Sequence, residues 1–217
     1  MAADTSARAA TRLAAFAAAG AITATQELVT AILREIPDAD PNLVAEETLS
    51  LVSVASARAV AAGTSESLSD TVPTALIDLP FAYHDYLLGG VIISDRESGP
   101  DPGGEAGPDL DGGPGSDPDV EAGPDLGGKA GPDLNRSVYD RLGRKREFYS
   151  LHLPPGRVPS RRDLRDKMEL WMGRISPPGL PEHPAKRLER LSLVSVLHTH
   201  VRLLFEFSRN EQALGAN

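Results

Sequence analysis

Apolar side chains recur at three- and four-residue intervals over most of this chain, which is the signature of helices burying one face. Leu13, Phe16, Ala17, Ala21, Ala24, Leu28, Ala31 and Ile32 keep that rhythm and predict a first helix from Thr5 to Ile36, stopped by Pro37. A second helix is the best delimited. Asp40 can cap it, Pro41 suits its first turn, Glu46 and Glu47 lie near its positive end, and Gly63 ends it. Leu43, Val44, Leu51, Val52, Val54 and Ala55 give it a broad apolar surface. A third stretch starts at Ser69 or Asp70, is broken or restarted by Pro80, and ends at Gly89-Gly90. Val91-Ile92-Ile93 is read as an apolar lead-out, because no partner strand is evident.

The rhythm resumes late in the chain. Val138, Leu142, Tyr149 and Leu153 suit a helix from Ser137 to His152, with a hairpin turning at Leu142-Gly143 as the rival. Ser160 and Asp163 resemble a capping box, after which Leu164, Met168, Trp171, Met172 and Ile175 form one stripe. The last helix is expected from Pro184 to Arg209. Between Leu191 and Phe207, ten of seventeen residues are Leu, Val or Phe, and Ser192, Ser195, Thr199, Arg202, Glu206 and Arg209 follow one narrow polar stripe. So apolar a helix belongs in the middle of a bundle. The fold class expected is all-α, a bundle of five or six helices interrupted by a disordered insert.

That insert is an octapeptide array. Glycine holds the second place of each octad (Gly99, Gly107, Gly115, Gly123, Gly131) and aspartate the fourth (Asp101, Asp109, Asp117, Asp125, Asp133). Eleven of the 20 glycines and seven of the 18 prolines lie between Asp95 and Pro132, a density that opposes packing. A calcium-binding roll is a poor fit, since such repeats need nine residues and a large aliphatic in every turn. The expected organisation is an acidic part over 1–94, an acidic linker over 95–134, and a basic part over 135–217 that co-folds with the first as one domain.

Charge follows that division. The net −9 hides sums of −7, −9 and +7 for the three parts. Opposite charges on the two flanking parts favour docking of one on the other. There is no cysteine, which excludes disulfides, thiol nucleophiles and zinc–thiolate sites. A short alanine-dominated stretch after Arg8 and Arg12 could imitate a signal, so residues 1–24 are read as helix with a cleaved signal as the alternative. No unbroken apolar run reaches the length of a membrane span, so none is expected, and the chain is read as cytoplasmic.

Candidate chemistry is sparse. Glu-x-x-His, a phosphate-binding glycine loop and Gly-x-Ser-x-Gly are all missing from the sequence. No catalytic residue, metal site or cofactor is assigned. Arg141, Arg144, Lys145 and Arg146 cluster on one stretch, and Arg161, Arg162 and Arg165 follow across a proline turn. Arginine makes paired hydrogen bonds to phosphate or carboxylate, so these seven are the candidate binding residues, either for nucleic acid or phosphate or for the acidic first part. Tyr83, His84, Asp85, His198 and Arg202 are the candidate polar cluster, and they would support an enzyme only if folding brings them into one pocket. His200 points away from the polar stripe and reads as a satisfied core histidine. The leading functional expectation is a non-enzymatic protein–protein interaction or adaptor module, self-associating or bound to another protein. Nucleic-acid or phosphate binding by the basic part, masked by the acidic linker, is the alternative.

Overall fold

The computed structural model describes residues 2–64, 71–84, 132–153, 155–179 and 183–215. The fold is all-α, with no strand among the described residues. Helix α1 spans Ala2–Glu35, α2 Pro41–Gly63, α3 Thr71–Ile77, α4 Pro132–His152, α5 Arg161–Ile175, α6 Pro184–Arg190 and α7 Leu193–Gly215. A further helical stretch covers 79–84. The array up to Gly131, Val91-Ile92-Ile93 and Asp85 lie outside the described residues, whereas Asp133 of the last octad falls in the first turn of α4.

Local chemistry explains the helix ends. The Asp40 carboxylate accepts from the Asn42 and Leu43 amides at 2.9 and 3.3 Å, and Pro41 occupies the first turn. At the start of α5, Ser160 and Asp163 exchange side-chain and backbone bonds as a full capping box. Helix α4 runs unbroken through Leu142-Gly143, so the hairpin rival does not form.

One core joins the elements. Helix α2 packs on α1, α3, α4, α5 and α7, and α1 packs on α2 and α7. Leu13, Leu28 and Ile32 of α1, Leu51 and Val60 of α2, Tyr149 of α4, Trp171 of α5 and Leu197 of α7 belong to a single cluster of buried side chains. The central helix is α2, not the last helix α7 as expected. Its Thr48, Ser50, Ser53 and Ser56 are all buried. Thr48 and Ser50 donate to the carbonyls of Val44 and Glu46 one turn back, at 2.5 and 2.8 Å, so their hydroxyls are satisfied without water. Small hydroxyl side chains also let neighbours approach closely. Gly63 serves the same end: a Cβ there would lie 2.8 Å from Ser208 Cβ and 2.9 Å from the Phe205 carbonyl oxygen.

The expected helix from Pro184 to Arg209 is two helices. Ser192 adopts a left-handed backbone at φ 54°, which separates α6 from α7. Leu188 and Leu193, on either side of this joint, are both buried.

The expectation of no membrane span is corrected by α1. Over Ala7–Glu35 this helix is long and apolar enough to cross a membrane, with a mean hydropathy of 1.4 and 33% of its most apolar window buried in the fold. The expectation rested on unbroken runs of large apolar side chains. Alanine-rich sequence with few charges reaches the same average hydropathy without such a run.

Candidate functional site

The densest polar chemistry lies where α4 and α5 meet α2. Arg141, Lys145 and Tyr149 follow one another at four-residue steps and so share a face of α4. That face meets the adjacent carboxylates of α2. Glu46 accepts from Arg141 through both oxygens, at 2.9 and 2.6 Å, and from Lys145 at 2.7 Å. Glu47 is 1% exposed and accepts from the Tyr149 hydroxyl at 2.7 Å and from Arg174 of α5 at 2.8 Å. Lys145, itself 4% exposed, stands 3.5 Å from Glu47. Next to this network the Trp171 indole donates to Thr48 at 3.2 Å.

These contacts set the ionisation of the groups. Burial pushes the Glu46 carboxyl up, but hydrogen bonds from Arg141 and Lys145 outweigh it and hold the group below its usual range. Burial and the Glu47 charge push the Tyr149 phenol upward, so it stays a donor. Hydrogen bonding to Glu47 raises Arg174. Every polar group is locked to another protein group, an arrangement that positions helices and leaves no nucleophile or base free.

The remaining candidate arginines lie elsewhere. Arg146 pairs with Asp78 at 2.7 Å, and Arg144 is exposed on a shallow hollow of α4. Arg161, Arg162 and Arg165 border a cleft of about 730 Å³ between α5 and the α6–α7 joint, together with Asp166, Glu169 and Glu189. Arg165 bonds to Glu169 at 3.4 Å and Glu189 at 2.8 Å, whereas Arg161 donates to Ser195 at 3.1 Å. The cleft therefore carries both signs of charge.

The candidate polar cluster divides. Tyr83 and His84 line a cavity between α1, α2 and α4, while His198 sits beside Arg202 and Arg161. Burial first, then those two arginines, lower the His198 pKa. His200 belongs to a third place. Its Nε2 lies 2.8 Å from Ser56 Oγ, and its ring packs 3.1 Å from where a Cβ on Gly20 would stand.

Burial alone lowers His200 to about 4 from 6.5. The unfolded chain takes up this proton near pH 6.5 and the folded chain only near pH 4, so stability falls as pH drops through that window. The loss is about 3 kcal/mol at most. Urea denaturation from about pH 7.5 down to about pH 4 is expected to show a shallower decline for His200→Gln than for the natural chain.

Helices α1 and α7 share a further feature. Phe16 stacks on Phe207 with ring centroids 4.1 Å apart, at the edge of a cleft that Leu203 and His200 also line. Phe16 is 43% exposed, Leu203 60% and Leu214 61%. On α7, Leu203, Phe207 and Leu214 follow four- and seven-residue steps, so they form one apolar stripe. Arg12 bonds to Glu211 at 2.7 Å beside it.

Glu47, Tyr149 and Arg174 were not among the candidate site residues: Glu47 read as an acid near a helix start and Tyr149 as part of an apolar helix face. Their only signal was a Glu-Glu pair ahead of the long apolar run of α2. Among the described residues no group of three His, Cys, Asp or Glu could hold a metal ion. No family model, curated protein or solved structure matches this chain.

Proposed function

We propose that this is a non-catalytic helical protein that acts through protein–protein contact, and that the α1–α7 face is the contact surface. The observation that carries the reading is an apolar stripe in which Leu203 and Leu214 are exposed and Phe207 between them is half-buried, with the exposed Phe16 stacked on it. Large contiguous apolar patches on a folded surface mark interaction sites. The occupant is a second copy of the chain. Arg202 and Glu206 are both exposed and one turn apart on α7, so a two-fold antiparallel pairing centred near Leu204 sets each Arg202 against the other copy's Glu206. A finer architecture belongs to the same proposal. The two flanking parts form one helical domain, and the acidic linker ahead of α4, residues 95–131, joins them as a tether.

Pairing of Arg141, Lys145 and Arg146 with Glu46 and Asp78 supports this reading over phosphate binding by those three residues. Sedimentation equilibrium tests it. A concentration-dependent dimer is expected, weakened at least 100-fold by Leu203→Asp. Arg202→Glu weakens it too, and adding Glu206→Arg restores it. A strict monomer at the highest soluble concentration sinks the proposal. So does Leu203-dependent flotation with phosphatidylcholine vesicles in place of a dimer, which would make this a lipid-facing surface.

A further inference from the structure

The cavity bordered by Tyr83 and His84 has no part in that pairing face. It occupies about 320 Å³ where α1, α2, the 79–84 stretch and Leu142 of α4 converge. That volume falls at the lower end of the range for small-molecule sites, which are apolar hollows with a few polar groups at defined places. Ile22 and Val29 of α1, Leu49 of α2, Pro80 and Leu142 supply the apolar wall. Glu46, Tyr83 and His84 supply polar groups. His84 packs edge-on against Tyr139 at 6.2 Å, and its Nε2 is buried with no hydrogen-bond partner. An unsatisfied buried nitrogen costs on the order of 1–3 kcal/mol, which a hydrogen-bonding ligand removes.

The charge balance narrows the ligand further. No lysine or arginine lines the cavity, and its one carboxylate, Glu46, already receives Arg141 and Lys145. An anion finds no cation there, and a cation finds a carboxylate already neutralised. We propose that this cavity binds a small uncharged amphiphile, an alkylphenol or alcohol, with its chain against Val29, Leu49 and Leu142 and its hydroxyl between Glu46 and His84. The hydroxyl donates its single proton to the Glu46 carboxylate and accepts from an imidazole N–H of His84. A half-turn of the ring exchanges its nitrogens with carbons and can present either nitrogen.

Three probes of one size test the assignment on the full chain: 4-propylphenol, propylbenzene and 4-propylbenzoate. Titration calorimetry is run beside methyl-resolved NMR. Saturable binding of 4-propylphenol is expected, with shifts concentrated at Ile22, Val29, Leu49 and Leu142. Propylbenzene and the benzoate are expected to bind at least tenfold more weakly. Ala45→Phe, which fills the cavity from α2, is expected to abolish binding, and His84→Phe to weaken the phenol at least fivefold without weakening propylbenzene. If Ala45→Phe fails to fold, the methyl shifts decide the question alone. Equal affinity for all three probes, shifts elsewhere, or no saturable binding would overturn the proposal. Binding that emerges only after Val91, Ile92 and Ile93 are changed to serine would also overturn it, because the chain itself would then be the occupant.

Discussion

Glu47→Ala is expected to destabilise the protein by about 3–5 kcal/mol, the range for breaking a buried ion pair from one side. Three groups lose their partner together. The Tyr149 hydroxyl is fully buried and donates to Glu47, so it becomes an orphaned donor. Arg174 is 40% exposed and can turn outward to solvent, which moderates the loss. Lys145 keeps Glu46 at 2.7 Å but loses half of its negative surroundings while only 4% exposed. Glu47→Gln retains the shape and an acceptor for Tyr149, so it is expected to cost about half as much. Removing the network as a unit is the informative control. Glu47→Met combined with Tyr149→Phe and Lys145→Met leaves no uncompensated charge at Glu47 and is expected to recover most of the loss. Urea denaturation followed by the fluorescence of the single tryptophan measures all three, since that residue sits beside the network.

Trp171→Ala is expected to cost a similar amount, about 3–5 kcal/mol, for an apolar reason. The indole is fully buried between α5 and the centre of α2, flanked by Met168 and Met172, which are also at 0% exposure. The space left behind is large, and the surrounding helices are held by the Glu47 network and cannot collapse into it. Trp171→Phe keeps most of the volume and loses the bond to Thr48. The Thr48 hydroxyl still donates to the Val44 carbonyl, so no buried donor is stranded and the cost falls to about 1–2 kcal/mol. Circular dichroism replaces fluorescence as the readout for both variants. A loss below about 1 kcal/mol for Trp171→Ala would mean that α5 is dispensable to the core.

What could be read from the sequence was local. The Asp40–Pro41 start of α2 and the Ser160–Asp163 box are short-range chemistry, visible in adjacent letters. The split at Ser192 left no such mark, because the residues before and after it keep helical spacing and the break comes from a left-handed backbone at a serine. The centrality of α2 was hidden by its serines and threonines, which read as surface residues; the fold buries them, with Thr48 and Ser50 turned onto the helix itself and Ser56 bonded to His200 of α7. Conversely, α7 looked central by composition, yet Leu203 and Leu214 face outward. The membrane-spanning capacity of α1 was missed because many alanines together do what no single large residue announces.

The site was legible by residue type but not by partner. Arg141 and Lys145 stood out as a basic cluster, and nothing near them in the chain pointed to Glu46, which lies 95 and 99 residues away. Glu47 looked like an ordinary acid at a helix start. Its burial depends on Tyr149 and Arg174, at separations of 102 and 127 residues.

That long reach bears on when the molecule can take shape during synthesis. The ribosome releases α1 and α2 first, with Glu47 facing an interior that has no countercharge. Helices α4 and α5 emerge much later with the amine, the guanidinium and the phenol that Glu47 needs. Until they arrive, burying that carboxylate is strongly unfavourable, so the early segment waits half-assembled and the final compaction follows translation of the last third of the message.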